Sequence, residues 1–229
     1  MRATVQGIFD AVSFFIALLF RDPFQYFSWV VAVAFSVCFH EYAHAIMALK
    51  WGDDTAARTG HLSMNPMVQM GPSSLVMLLI CGIAWGAVPV DPGRVRSRFG
   101  AAVIAFAGPG ANLLLSLVFG ALTVLAKVLV GAQVAQNYVA YFFAAACAAN
   151  AVLFIFNMLP IPMLDGWPIF SFLFPGLRNV SLQAAQNLMW VFVLAVFMTP
   201  VGGWIWQGGA YLAAEIIHAW ESFFLLFVR

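Results

Sequence analysis

Three ionisable residues stand within five positions of one another in FHEYAHA, residues 39–45: His40, Glu41 and His44. Helical residues four apart share one face a turn apart, so His40 and His44 can present both imidazoles to one point. Imidazole pairs so placed bind a single metal ion. Glu41 lies beside that face, within reach of a water held by the metal. Two ligands and a general base make up the hydrolytic logic of the His-Glu-x-x-His pattern. The competing reading is a set of polar residues satisfied by neighbouring helices. Its cost argues against it: an acidic group at the centre of a membrane span costs about 2.5–3.5 kcal/mol on insertion scales. Here three ionisable groups fall together at metal-ligand spacing.

The surroundings make a membrane the solvent. The chain has 229 residues, 64% hydrophobic and 8% charged, with mean hydropathy +0.95. A soluble domain carries about 25% charged residues, so water would not hold this surface in solution. A net charge of +1 and the lack of a basic block exclude a nucleic-acid partner. Cys38, Cys81 and Cys147 all sit in apolar runs, and their odd number gives no disulfide framework.

Apolar runs occur at 5–20, 24–49, 74–90, 101–130, 138–164, 186–206 and 209–228. No cleavage site follows Val5–Phe20, so that run reads as a retained span rather than a signal peptide. Arg2, Lys50, Arg58, Arg94, Arg96, Arg98 and Arg178 collect on one side only if 74–90 dips in and returns. Gly82, Gly86 and Pro89 suit irregular backbone there. The expectation is an all-α polytopic membrane protein of about six transmembrane helices plus a re-entrant segment. It forms a single domain over 1–229, with a catalytic core over roughly 24–170. The last run, interrupted by Glu215, His218 and Glu221, could instead lie along the interface. Thr59, His61, Ser63 and Asn65 alternate with Gly60, Leu62 and Met64, which predicts a short cytoplasmic β-strand or hairpin. His40 precedes Lys50 by ten residues, placing it about 15 Å below the cytoplasmic helix end.

A catalytic zinc takes three protein ligands and leaves one position open. The next glutamate after Glu41 is Glu215, so the third ligand must come from elsewhere. Most acidic residues, Asp53 among them, adjoin turns or span ends and read as solvated. Asp165 differs. It ends FNMLPIPMLDG, where Pro160 and Pro162 break the fifth run and expose backbone groups at membrane depth. A solvated Asp-Gly turn explains the same residues, and spacing does not choose between the two. Asn157, two turns earlier, suits either an oxyanion donor or a helix–helix hydrogen bond. Asn112 and Asn150 read as hydrogen-bond donors bridging helices.

Together these residues resemble the site-2 protease family of intramembrane zinc metalloproteases. The resemblance lies in HEYAH, GHLSMNP, VPVDP before the arginines, AGPGAN at 107–112, and NMLPIPMLDG. It implies His40, His44 and Asp165 as ligands of one Zn²⁺, Glu41 as general base, and Asn157 as an aid to the oxyanion. It implies a single-span membrane-protein substrate, unwound locally before cleavage, and a minimal core lacking PDZ and CBS domains. Where the family's common form has another proline, this chain has Met163. An exposed edge of the 59–65 strand, with His61, Ser63 and Asn65, would hold the extended substrate. His61 reads more readily as a polar strand residue than as a metal or substrate contact. The expected setting is a prokaryotic cell membrane, among its lipids, with the active site nearer the cytoplasm. Two other functions fit the same ligands: a metal-keeping scaffold that does not cleave, and a metal transporter. Neither requires a base at Glu41, which favours the enzyme. Imidazole also suits iron, nickel and copper, so zinc follows from the resemblance.

Overall fold

The computed structural model describes residues 15–130 and 138–226. Helical residues 15–21 lead into α1 (Pro23–Lys50), which begins with proline at its first position and Asp22 accepting from the Gln25 N–H. The short helices α2 (Thr55–Arg58), α3 (Pro66–Gln69) and α4 (Gly71–Cys81) follow. Then come α5 (Arg98–Val130) and α6 (Tyr138–Asn157). The chain ends with α7 (Gly166–Leu173), a 3₁₀ turn at Pro175–Asn179, α8 (Leu182–Met198) and α9 (Val201–Leu225).

Three helices, α1, α5 and α6, are long and apolar enough to cross a membrane, and α8 with α9, bent by 77°, can count as a fourth. The helices α1, α5 and α6 pack on one another, and α9 packs on α5 and α6. Small residues let the backbones close in. A side chain at Gly209 would strike Val152, and one at Gly120 would strike Ile216. At the far end, Lys127 of α5 pairs with Glu221 of α9 at 2.9 Å.

The described residues therefore carry three or four candidate spans, not six. Run 5–20 lies largely outside them. Run 138–164 loses its last turns because prolines end α6 at Asn157. Runs 186–206 and 209–228 form one broken unit, interrupted at Thr199-Pro200, where Thr199 Oγ1 donates back to Ala195 O at 2.6 Å.

Segment 74–90 doubles back on itself. The last carbonyls of α4 are taken by α1: Tyr26 Oη donates to Leu79 O at 2.7 Å and Trp29 Nε1 to Gly82 O at 2.8 Å. Gly82, at φ 73°, then reverses the chain. The return path, 83–90, is non-helical. Its backbone is satisfied by side chains and loops: Trp85 exchanges hydrogen bonds with the Ser74 hydroxyl, and the Ala87 N–H donates to Gln69 O at 3.1 Å. It passes Gly86 beside Glu41 and ends at the loops that follow α1, where the Arg96 N–H donates to Trp51 O at 3.1 Å.

No strand forms at 59–65. The alternating polar residues serve turns instead of a pleat. Ser63 Oγ accepts from the Asn65 N–H, Asn65 Oδ1 accepts from the Met67 N–H at the start of α3, and Gln69 Nε2 donates to the carbonyls of His61 and Ser63. A strand needs a neighbouring ladder, and these backbone groups are already taken by side chains.

Asp53, expected to be solvated, is fully buried in its own loop at the protein's edge. Its carboxylate accepts from the Thr55 N–H and hydroxyl and, at 2.7 Å, from the Asp91 N–H. It thus ties the end of the re-entrant path to the end of α1. Burial opposes ionisation, but these donors and nearby Arg94 outweigh it and hold the carboxyl below the usual range. Removing two or three charge-assisted bonds in Asp53→Ala should cost about 2 kcal/mol or more, read as a lower thermal midpoint in detergent. A depressed folded-state pKa means the contribution is complete above the unfolded value of about 4 and is lost as pH falls through the folded value. Asp53→Asn should therefore flatten the acid limb of the wild-type stability profile below about pH 4.

Candidate metal centre

His40, Glu41 and His44 are all buried at the middle of α1. His40 Nε2 and His44 Nε2 lie 3.0 Å apart. Asp165 Oδ2 stands 2.9 Å from the first and 3.3 Å from the second. These three ligand atoms form a group compact enough to hold one ion.

Asp165 reaches the histidines because α6 stops short. Pro160 and Pro162 cannot donate to a helical ladder, and the chain turns tightly through Leu164, whose N–H donates to Ile161 O at 3.1 Å. Met163 adopts φ 71°. Proline is fixed near −65°, so this backbone is closed to the proline of the family's common form. Gly166 is packed so tightly that a Cβ would strike the carbonyl oxygens of Met158 and Leu159. The Asp-Gly pair is therefore part of a constrained turn that aims its carboxylate inward.

The outer ring nitrogens are also engaged. His44 Nδ1 donates to the Ile104 carbonyl at 2.7 Å, and His40 Nδ1 donates to Asn112 Oδ1 at 2.6 Å. Each Nε2 is then left with a lone pair, and both lone pairs meet the Asp165 carboxylate. Three electron-rich atoms this close repel unless a positive centre lies among them. Ligand atoms about 2.0–2.1 Å from a tetrahedral zinc stand roughly 3.3 Å apart, which matches the observed spacings to within a few tenths of an ångström. The donor set fits zinc, and hydrogen bonds at Nδ1 are the usual support for such ligands.

Two glycines leave room for this arrangement. A Cβ at Gly108, in α5, would overlap Nε2 of both histidines; one at Gly86 would overlap the Glu41 side chain. Gly108 thus backs the candidate metal centre, and Gly86 of the return path walls the Glu41 carboxylate. Gly108 lies in the AGPGAN run at 107–112, and the sequence carries no sign of what packs against it.

Other expected site residues fall outside this group. Asn157 ends α6 and donates from Nδ2 to Leu153 O, one turn back, at 3.0 Å. Ser63 and Asn65 hold the turn described above, and His61 Nδ1 meets Thr59 Oγ1 at 2.9 Å. Glu215 and His218 are exposed on α9. Asn112 and Asn150 do bridge helices, at 2.9 Å from Asn112 Nδ2 to Asn150 Oδ1. That Asn112 also holds a metal ligand is a feature that spacing did not reveal.

Comparison with known proteins agrees with the geometry. Residues 120–201, which include Asp165, match the model of peptidase family M50. A Bacillus subtilis (strain 168) protein named "Putative zinc metalloprotease YwhC" is 33% identical over 182 residues, covering 77% of this chain and 82% of its own length. "Putative zinc metalloprotease Rip2" of Mycobacterium tuberculosis (strain H37Rv) is 29% identical over 186 residues, covering 77% and 67%. Its namesake in Mycolicibacterium smegmatis is 28% identical over 170 residues, covering 71% and 62%. No solved structure matches the chain.

The two glycines should fail differently when substituted. Gly108→Ala should displace the imidazoles and weaken zinc binding by about tenfold or more, measured by chelator competition. Gly86→Ala should leave zinc content intact while lowering turnover by about tenfold or more, because only the base is moved.

Proposed function

The chain belongs to peptidase family M50, and on that premise we propose that it is a zinc-dependent endopeptidase acting on membrane-embedded helices. The observation that carries the reading is the convergence of His40, His44 and Asp165, with Glu41 adjoining on the same helix.

Each residue has a defined task. His40, His44 and Asp165 would hold the zinc ion. Bound there, zinc polarises a carbonyl and lowers the pKa of a water towards about 7. The Glu41 carboxylate would accept a proton from the attacking water and pass it to the leaving amine. Its wall at Gly86 keeps the carboxylate beside the ligand face. Asn157 would assist the oxyanion only after its amide turns away from Leu153 O.

The substrate we propose is a single-span membrane protein whose helix unwinds locally, since a helical peptide bond is shielded by its own ladder. The centre lies in the middle of α1, roughly 15 Å from the Lys50 end. Lys50, Arg58, Arg94, Arg96 and Arg98 gather at that end, which supports a cytoplasmic orientation there under the positive-inside rule. In that orientation, water and the released product would communicate with the cytoplasm. Release of a segment from the membrane fits regulated intramembrane proteolysis in a prokaryotic cell.

Purified wild type, Glu41→Gln and Asp165→Ala should be incubated with a panel of single-span peptides in detergent. Glu41→Gln should keep its zinc and lose cleavage by roughly 10²–10⁴-fold. Asp165→Ala should lose zinc and activity together. Cleavage by Glu41→Gln at the wild-type rate, or undiminished cleavage after zinc is stripped, would refute the assignment.

A further inference from the structure

The two ligating histidines take their polarity from different sources. His44 Nδ1 donates to the Ile104 backbone carbonyl, which can only accept. That alone places a proton on Nδ1 and a lone pair on Nε2. His40 Nδ1 faces an asparagine amide, which offers an acceptor at one end and donors at the other. With the amide reversed, His40 would carry its proton on Nε2 and could not bind metal there. Something must fix the Asn112 amide.

The fixing elements form a continuous chain across α1, α5 and α6. Asn112 Nδ2 donates to Asn150 Oδ1 at 2.9 Å and to Ser36 O at 3.4 Å. Asn150 Nδ2 donates to Ser36 Oγ at 2.7 Å and to Ala146 O at 2.8 Å. The Ser36 hydroxyl donates to Ala32 O at 2.7 Å. Ser36, Asn112 and Asn150 have no exposed surface, so water cannot substitute for a lost partner.

The chain ends on three helix carbonyls, those of Ala32, Ser36 and Ala146. Because Ala146 O only accepts, Asn150 must give it Nδ2 and turn Oδ1 to Asn112. Asn112 must then give Nδ2 to Asn150 and Oδ1 to His40. Reversing one amide sets acceptor against acceptor in a dry interior. We propose that Asn150, acting through Asn112, is a positioning residue that fixes His40 as the Nδ1–H tautomer and so keeps its Nε2 free for zinc. The proposal rests on His40 being a zinc ligand.

The test uses full-length protein in detergent micelles, with ¹⁵N-labelled histidine and zinc removed. The tautomer of each ring is read from its nitrogen–proton correlations, and zinc affinity is measured separately by chelator competition. In the wild type, both His40 and His44 should carry a proton on Nδ1, whether or not a second proton takes the place of the metal at Nε2. In Asn150→Leu, His40 should lose that signature while His44, held by the backbone, keeps it. Zinc Kd should rise about 10–100-fold. Asn150→Asp, protonated in that dry interior, can donate its hydroxyl to Ala146 O while keeping an acceptor towards Asn112, and should restore both readings towards wild type.

A wild-type His40 that lacks a proton on Nδ1 overturns the proposal, whatever the variants do. So does an unchanged His40 tautomer or zinc Kd in Asn150→Leu, or an equal change at both histidines. If Asn150→Leu does not fold, Asn150→Asp decides: a lost His40 signature with His44 intact overturns the proposal, and a retained one supports it. Failure of wild type to bind zinc would instead count against the metalloprotease reading, since the tautomers are measured without metal.

Discussion

Two imidazole lone pairs and a carboxylate oxygen face one another across about three ångströms in the interior of a membrane protein. In a medium that screens poorly, such an arrangement repels unless a cation lies within it. Much of the fold can be read as the means of enforcing that encounter. One helix supplies two ligands a turn apart, and a second helix ends early so that a carboxylate can turn inwards. A glycine on a third helix leaves the space the imidazoles occupy. The hydrogen bonds at the two Nδ1 atoms then direct both lone pairs to the centre.

The same economy of polar groups governs the rest of the chain. Non-helical backbone at membrane depth needs internal partners, and the return path of the re-entrant segment has them in Ser74 and Gln69. The α4 end is closed by Tyr26 and Trp29 of α1, and the exit of the return path by buried Asp53. These ties hold the segment along α1, which in turn holds Gly86 against Glu41. The buried Asp53 brace and the Glu41 side chain are thereby linked by one stretch of backbone.

What the sequence disclosed was what depends on local spacing. His40, Glu41 and His44 were legible because a helix converts four residues into one turn. The break before Asp165 was legible because two prolines cannot continue a ladder. The reversal within 74–90 was legible from its glycines. What stayed hidden depends on distant partners. The alternation at 59–65 suggested a pleat, but an amide from Gln69 captured the carbonyls a strand would have paired. Asp53 looked solvated until its loop folded over it. The contacts of Gly86 and Gly108 have no local signal, since an absent side chain says nothing about what fills its place. The span count suffered similarly: hydropathy does not reveal the bend between α8 and α9.

The most direct measurement is the X-ray absorption spectrum at the zinc edge of the purified, zinc-loaded protein. The account predicts one zinc per chain, bound only by nitrogen and oxygen at about 2.0–2.1 Å, with the outer-shell scattering of two imidazoles. A sulfur shell near 2.3 Å, which would bring in a cysteine such as buried Cys38, or fewer than two imidazoles, would contradict it.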